Sequence, residues 1–485
     1  MNTDSTASED ENALQTDKPE HEEPPAAGDN AAATPRLLIF VIIASALMMM
    51  AVDGTIVATA LDSLQRGLDT TVNWAGWTIT AYACGFVVML PISGKLAMRY
   101  GNRKVFLGSV VAFTFASLLC GLATNIYMLI ALRALQAAGG AGFTPSATGI
   151  IVQHFGDARD RAVGLFGSIF PLGAMIGPVF GGLIVSTLGW RYIFLVNVPI
   201  GFVVSLLALR HIPLDRGRES RADTHIDLFA LALLGIGLLS LMLAAAAMGD
   251  AQTHFWSPSF VLPLVVAIVS LWRFVHRIHR SASPVIMPRL IHGSDFGIVN
   301  LVNIIYGGAA IGLLVLVPLY ATNRYGMNAL DAGTLLLAQG ISAIIFSTVA
   351  AFILRHTGYR LPLYVGSLIS TSGLLLLALA PLAGLPPFVW LASSTFLVGT
   401  GGGIINPSSR NAGLQLAPEQ APSIAAVRSM CMQIGRILSV SIVTAVLANS
   451  GDPGHAQAWT YAAMALVMIL ALPLIARMPE HHGSW

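Results

Sequence analysis

Charged residues are scarce in this sequence. Lysine, arginine, aspartate and glutamate together make up 10% of the 485 residues, whereas hydrophobic residues make up 55%. A soluble protein carries roughly a quarter charged residues. Most of this chain therefore cannot face water, which excludes an ordinary soluble globular protein and indicates a protein surrounded by a lipid bilayer. The net charge of only +2 gives no reason to expect a nucleic-acid partner.

Cysteine is also scarce, and the sequence has no phosphate-binding P-loop. Cys84, Cys120 and Cys431 fall in apolar stretches without the spacing of metal ligands or of a disulfide framework. We therefore expect buried small side chains, no metal site and no cofactor. Gly94 and Lys95 form the only Gly-Lys pair, but the residues around them do not fit a P-loop. This argues against pumping driven by ATP.

Long apolar runs fill the chain after residue 35. About 20 apolar residues cross a bilayer, and such runs are too long and too many to be a cleaved signal peptide. We predict an all-α membrane protein with about fourteen transmembrane helices. The predicted spans are 37–64, 73–97, 105–124, 126–153, 161–187, 191–211, 226–248, 258–279, 294–322, 331–354, 361–381, 388–413, 422–449 and 459–477. Residues 1–35 are acidic and rich in proline, which predicts a disordered tail.

Basic residues are concentrated in alternate loops. They cluster at 95–104, 159–161, 210–221, 273–289 and 355–360, whereas the intervening loops hold only Arg66, Arg191 and Arg324. Loops rich in lysine and arginine remain in the cytoplasm. Because the number of predicted helices is even, we expect both termini in the cytoplasm and a multi-pass protein of the cytoplasmic membrane.

The two halves of the chain are weakly similar in sequence. The chain also carries five short motifs. Aligning Gly101 with Gly358 places Arg103 opposite Arg360, and internal repeats of this kind are typical of transporters. The motifs are "VDGTIVATALD" at 52–62, "GKLAMRYGNRK" at 94–104, "RALQAAGGAG" at 133–142, "GLFGSIFPLGAMIGPVFGG" at 164–182 and "GWRYIFLVNVPIG" at 189–201. With these motifs the sequence resembles the fourteen-helix drug:proton antiporter family of the major facilitator superfamily.

This resemblance implies a fold and a function. The fold would have an N-terminal six-helix bundle at 36–212, a linker with two extra helices at 213–293, a C-terminal six-helix bundle at 294–478 and a cytoplasmic tail at 479–485. The function would be proton-coupled export of hydrophobic or amphiphilic small molecules, such as drugs, dyes or antibiotics, by alternating access. The proton would be the coupling ion, and no other cofactor would be needed. The protein would work as a monomer in a lipid bilayer, and it would come from a bacterium.

The fifth-helix motif carries a row of glycines. Gly173, Gly177 and Gly181 are four residues apart and so lie on one helix face, where small residues allow another helix to approach closely. Pro178 removes a backbone hydrogen bond, and Gly182 completes the motif. Tight packing alone would explain this pattern. The resemblance to exporters implies in addition a hinge that favours exchange over leak.

The loop after the second helix also carries a motif. Gly94, Gly101, Arg99 and Arg103 match the family pattern, with Gly101 suited to a tight turn. Met98 stands where the family usually has aspartate, which puts the usual latch of the outward-facing state in doubt. The positive charges are also explained by topology alone.

Asp53 is the most informative single residue, because an ionisable group in an apolar span is costly and usually functional. Counting 1.5 Å per residue places Asp53 and Arg133 at similar depth, and Arg436 on helix thirteen also matches. The family often has an arginine where this chain has Met432, so Arg428 and Arg436 would carry that charge from one turn away. Burial favours the protonated carboxyl and a nearby arginine favours the carboxylate. We therefore predict that Asp53 couples transport to protons, with Arg133, Arg436 and Arg428 as its candidate partners. The alternative is a purely structural ion pair.

Candidates for the substrate cavity are Tyr82, Gln136, Met432 and Asn303. The sequence leaves several functions open. The chain could export lipids or natural products, or it could be an uncoupled facilitator or importer of the same fold. A membrane enzyme is less favoured, because it needs a cluster of reactive side chains at one membrane face, which the sequence does not display.

Overall fold

The computed structural model describes residues 36–480, apart from residues 71, 216–226, 249–255, 282, 283, 285, 328, 383 and 449. The tail predicted at 1–35 lies outside the described residues, as does most of the tail predicted at 479–485. Glu480 is described, and its carboxylate accepts hydrogen bonds from the backbone amides of Tyr359 and Arg360. It therefore caps the N-terminus of the helix that begins at Arg360.

The described chain folds into fourteen long apolar helices, here numbered α1 to α14. The first six are α1 (Arg36–Ile56, continued by a 3₁₀ turn at Val57–Ala60), α2 (Val72–Tyr100), α3 (Asn102–Gly121), α4 (Ile126–Gly140 and Phe143–His154), α5 (Arg159–Thr187) and α6 (Tyr192–Leu195 and Asn197–His211). A pair follows, α7 (Leu228–Met248) and α8 (Pro258–Arg280). The last six are α9 (Ser294–Val302, a π-helix at Asn303–Ala309, and Ala310–Leu314), α10 (Ala329–Thr357), α11 (Arg360–Ala378), α12 (Pro387–Gln415), α13 (Ala421–Ala448) and α14 (Pro453–Ile475).

These helices satisfy the length and composition needed to cross a bilayer. Thirteen of the described spans meet both criteria, and α7 contributes a shorter apolar stretch at Leu228–Ala244. Apolar helices suit a bilayer because their backbone groups are satisfied within the helix. The predicted fold class, an all-α membrane protein with about fourteen helices, is confirmed, and the chain is a multi-pass membrane protein.

Glycines close the equivalent tight turns of the two halves. Gly101, between α2 and α3, has φ +88°, and Gly358, between α10 and α11, has φ +71°. A side chain would clash with the backbone in this left-handed region, so glycine is favoured there. The two positions that align in the sequence repeat therefore both have a positive φ.

Two main apolar cores hold the helices together. One joins α1 to α8 with the first residues of α13, and the other joins α9 to α14. In the first half α1 packs on α5 and α6, and α4 packs on α2 and α3. In the second half α12 packs on α10 and α11, and α13 packs on α9. The α7–α8 pair packs on itself, with α7 also against α13 and α2.

The halves meet mainly along α5 with α10 and α12, and along α13 with α2 and α4. We call the membrane side with the loops after α2, α4, α6, α8, α10 and α12 the basic face, because most basic loops lie there. A Cβ atom on Gly94 would lie 3.0 Å from that of Ala426 on α13. The hydroxyls of Ser168 on α5 and Thr348 on α10 lie 3.2 Å apart. These close contacts lie nearer the basic face than the opposite membrane side.

Candidate functional site

Asp53 is buried inside the first half of the molecule, with 1% of its surface exposed. Its carboxylate accepts three side-chain hydrogen bonds. Nη1 of Arg133 donates at 2.7 Å, and the amide nitrogens of Gln136 and Asn197 each donate at 2.9 Å. An ionised carboxylate only accepts hydrogen bonds, so this environment fits the charged form. These four residues form what we call the Asp53 cluster.

The helices explain why these residues meet. Arg133 and Gln136 are three positions apart on α4 and so share one face, and Arg133 Nη1 also lies 2.6 Å from Oε1 of Gln136. Asn197 is the first residue of the longer part of α6. Asp53 lies on α1, and its donors lie on α4 and α6. These three helices bring the acceptor and the donors together at similar depth.

A second layer of side chains surrounds the Asp53 cluster. The guanidinium carbon of Arg133 lies 4.1 Å from the centre of the Tyr82 ring, a cation–π distance. Gln136 donates to the Ser117 hydroxyl at 2.7 Å. Nε of Arg133 and the hydroxyl of Tyr82 have no hydrogen-bond partner among the residues that the structure describes. The cluster therefore has room for further hydrogen bonds on the Tyr82 side, where Nε of Arg133 can donate.

In this arrangement the buried charge of Arg133 is balanced by that of Asp53. A proton on Asp53 would remove the charge that balances Arg133. A buried cation without its partner is strongly unfavourable, so Arg133 would have to move or find another acceptor. The ion pair thus ties the position of α4 to the charge carried by α1.

Arg436 and Arg428 do not reach Asp53 in this conformation. The backbone of Arg436 lies against Gly312 on α9, in the second half of the molecule. Nη2 of Arg428 donates to Oδ1 of Asn406 at 2.7 Å. Arg436 therefore does not contact Asp53 in this structure, because depth along a helix does not tell which neighbouring helix a side chain faces.

Met432 and Asn303 also lie apart from Asp53, inside the second half. Asn303 begins the π-helix of α9, and its side-chain oxygen accepts from the Ser409 hydroxyl at 3.2 Å. A Cβ on Gly307 of the same π-helix would lie 3.4 Å from the Met432 side chain. Of the four cavity candidates, Gln136 and Tyr82 thus surround Asp53, whereas Met432 and Asn303 surround the break in α9.

The glycine row seats α5 against the helix that carries Asp53. Cβ atoms added at Gly173, Gly177 and Gly181 would collide with Ala51, Thr55 and Thr59, which succeed one another along α1. The Thr55 hydroxyl lies 3.4 Å from the carbonyl of Gly173. Helices approach this closely only where one lacks side chains.

Gly182 differs from the three glycines that contact α1. Pro178 follows Gly177 in α5. A Cβ added at Gly182 would meet nothing within 4 Å. Gly182 is therefore not part of the close contact with α1, although the motif includes it.

The loop after α2 has a partner that the sequence reading missed. Gly101 adopts its positive φ beside Asp215, which follows α6, and the Asp215 carboxylate accepts from the backbone amide of Arg103 at 3.1 Å. A carboxylate at the start of α3 is favourable for the helix dipole. The Arg103 guanidinium donates to the carbonyl of Leu209 at the end of α6. The guanidinium of Arg99 lies 4.8 Å from the ring of Tyr100.

Met98 faces a cavity rather than a latch. It lines a space of about 610 Å³ at the basic face, together with Pro418 and Pro422 at the start of α13. No acidic residue at position 98 is available to reach that helix start. Two other acids, Asp215 and Glu419, line the same cavity. The Asp215 carboxylate accepts its hydrogen bond from the start of α3.

Polar contacts close the basic face between the two halves. The Asp160 carboxylate on α5 accepts from the Tyr359 hydroxyl at 3.2 Å, and its backbone carbonyl accepts from Asn411 at 3.1 Å. Arg159 donates to Gln415 at 3.4 Å. Burial and the neighbouring Asp160 charge raise the pKa of the Tyr359 hydroxyl, which keeps it neutral and able to donate. These contacts hold α5 against α11 and α12.

Asn197, Ser117 and Arg410 are polar residues of the interior that the sequence reading did not single out. Asn197 lies inside the quoted sixth-helix motif, and Arg410 lies inside the apolar span predicted at 388–413. A polar or charged residue in an apolar run is the same signal that marks Asp53. That signal would have found Arg410, whereas Ser117 is too common a residue in membrane helices to stand out.

Comparisons with known proteins place this geometry in a family. The family description of the Major Facilitator Superfamily matches residues 41–440. The methylenomycin A resistance protein of Streptomyces coelicolor is 31% identical, over 89% of this chain and 91% of that protein. The multidrug transporter protein MdtP of Bacillus subtilis is 29% identical, over 83% of this chain and 74% of that protein. The chain belongs to the major facilitator superfamily.

Solved structures agree in fold. The crystal structure of the human organic anion transporter MFSD10 (TETRAN) superposes with a TM-score of 0.68 at 15% identity, covering 91% of this chain and 99% of that one. The proton:xylose symporter XylE superposes with a TM-score of 0.65 at 13% identity, covering 92% and 97%. At these identities the likeness concerns the fold alone.

Proposed function

We propose that this protein exports amphiphilic small molecules, antibiotics and other drugs among them, in exchange for protons. The observation that carries the proposal is the buried Asp53 cluster, in which an ion pair with three donors occupies the interior of a transporter fold. Relatives that cover most of the chain are named for multidrug transport and for methylenomycin A resistance. A further relative, from Streptomyces alboniger, is named for puromycin resistance and is 31% identical.

The proposed cycle couples the Asp53–Arg133 ion pair, which joins α1 to α4, to opening of the basic face. With the basic face closed, Asp53 is ionised and bound to Arg133. A proton arriving from the opposite membrane side neutralises Asp53 and frees Arg133, which destabilises this arrangement of α1 and α4. The basic face then opens, substrate enters and the proton leaves. Return to the closed conformation carries the substrate outward.

We propose that the two bundles span 36–212 and 294–478 and are joined by the segment 213–293. The basic face is the cytoplasmic one, with both termini inside and the protein working as a monomer in a bacterial cytoplasmic membrane. The density of arginine and lysine in the loops of this face supports the orientation. An enzyme reporter that needs the cytoplasm should be active when fused after His482 and inactive when inserted after Arg324. The reverse pattern would refute the orientation.

Export is tested in a bacterium that lacks its own efflux pumps. Expression should raise the inhibitory concentration of several hydrophobic drugs and dyes several-fold. A protonophore should remove the difference, because coupling needs a proton gradient. Resistance that persists with the protonophore would favour an uncoupled facilitator, and greater sensitivity would favour an importer.

A further inference from the structure

Two arginines lie buried where the two halves of the molecule meet, close to the basic face. Arg410 on α12 and Arg428 on α13 are each 5% exposed. At 1.5 Å per residue they lie roughly 8 Å and 10 Å from the ends of their helices at that face. They are therefore inside the membrane span but nearer the basic face than its middle.

Among the residues that the structure describes, neither arginine has an anionic partner. Arg410 donates to the carbonyl of Val163 on α5 at 3.5 Å, and Arg428 donates to the Asn406 side chain at 2.7 Å. Nε of Arg428 has no hydrogen-bond partner in the described ranges. In those ranges no ion pair joins either arginine to an acid. Two buried like charges without an acid are costly to maintain, which calls for a compensating anion at some stage.

The two side chains line one small cavity. Thr144 and Thr148 of α4 form its other wall, and its volume of about 10 Å³ is room for about one water molecule. The arginines belong to the second half and the threonines to the first. Separation of the halves at the basic face would therefore enlarge this cavity and open it to the aqueous phase on that side.

We propose that Arg410 and Arg428 bind the carboxylate group of an anionic amphiphilic cargo molecule when the basic face is open. The proposal rests on the proposed export function and names a class of cargo for it. Two guanidinium groups offer charge-assisted hydrogen bonds that suit a carboxylate, and Leu414 and Ile424 in the same wall suit the apolar part of the cargo. When the halves close, the cavity becomes too small for a carboxylate, and the cargo must move toward the opposite face.

The test uses two probes that differ only in the head group. The probes are 11-(dansylamino)undecanoate and its primary amide, and the protein is the full chain in nanodiscs of phosphatidylcholine. The wild type should bind the carboxylate at least about tenfold more tightly than the amide. Arg410→Gln and Arg428→Gln should each weaken carboxylate binding about tenfold, the effect of losing one charge-assisted hydrogen bond. Binding of the amide should not change.

Arg477→Gln is the matched control, because Arg477 is an exposed arginine at the same face. It should alter binding of neither probe. Equal affinities of the wild type for the two probes would overturn the proposal, as would Arg410 and Arg428 variants that weaken both probes equally. A lower melting temperature of these variants with an unchanged preference for the carboxylate would show that the arginines are structural, and would also overturn it.

Three further outcomes distinguish the source of the anion and separate this proposal from the proposed export function. Displacement of the probe by millimolar inorganic phosphate but not by undecanoate would mark a free-anion site and overturn the amphiphile assignment. A wild type that binds neither probe but exports neutral and cationic drugs would end the anion site alone. A wild type that binds the carboxylate through both arginines but confers no resistance would support the site and end the export function.

Discussion

Asp53→Asn is expected to abolish transport driven by a pH gradient. Asparagine has nearly the shape of aspartate but cannot ionise, and its amide would turn a donor toward one of the three donors that now face Asp53. In proteoliposomes with an imposed pH gradient, uptake of a dye that the wild type transports should fall to the level of empty liposomes. Downhill exchange of the dye should persist, because exchange requires no net proton movement.

The same substitution also has a structural cost. It leaves the buried Arg133 without its anion, and breaking such a pair costs about 3–5 kcal/mol. A loss of transport could therefore reflect unfolding. The double variant Asp53→Asn/Arg133→Gln removes both charges and should recover most of the melting temperature. If Asp53 is a proton site, the double variant still fails in pH-driven transport. If the pair is only structural, transport returns together with stability.

Asp452→Asn is the matched control for this prediction. Asp452 lies just before α14, with 63% of its side-chain surface exposed and His455 as its partner. Loss of this exposed carboxylate should leave pH-driven uptake unchanged. An Asp53→Asn protein that still concentrates dye with the pH dependence of the wild type would end the proton-site hypothesis.

The sequence predicts the membrane helices well because their signal is local. A run of about 20 apolar residues has few alternatives to a spanning helix, and the basic loops distinguish the two membrane sides. Depth is equally local, since it follows from counting residues along one helix. That is why Asp53 and Arg133 could be proposed as neighbours before the structure, and the structure places them 2.7 Å apart.

What the sequence cannot supply is the direction in which each helix presents a side chain and which helices are neighbours. Arg436 has a suitable depth, but it packs against α9 and does not contact Asp53. Asp215 binds the start of α3 at a sequence separation of 112 residues, and no local sequence pattern predicts such a contact. The π-helix at Asn303–Ala309 likewise includes Gly308, which packs closely against α13, and this tertiary contact has no local signal in the sequence.

Gly177→Leu is expected to abolish export while the protein still reaches the membrane. A Cβ at this position would collide with the Thr55 hydroxyl and would lie 3.2 Å from the carbonyl of Val52, both on α1. Overpacking of this kind typically costs about 1–3 kcal/mol, which is tolerable for folding. It would nevertheless push α5 away from the helix that carries Asp53, and so disturb the positions of Asp53 and its donors on α4 and α6.

The neighbouring glycine supplies the control. Gly182 belongs to the same motif and the same helix, but a Cβ there would meet nothing within 4 Å, so Gly182→Leu should retain export. Gly177→Ala should give an intermediate loss, and Thr55→Ala in the same chain should restore part of it by removing the nearest clashing atom. Drug resistance and membrane abundance are measured for every variant. If Gly177→Leu and Gly182→Leu export equally well at equal abundance, then the close contact between α5 and α1 is not required for transport, and the glycine row is only a packing feature.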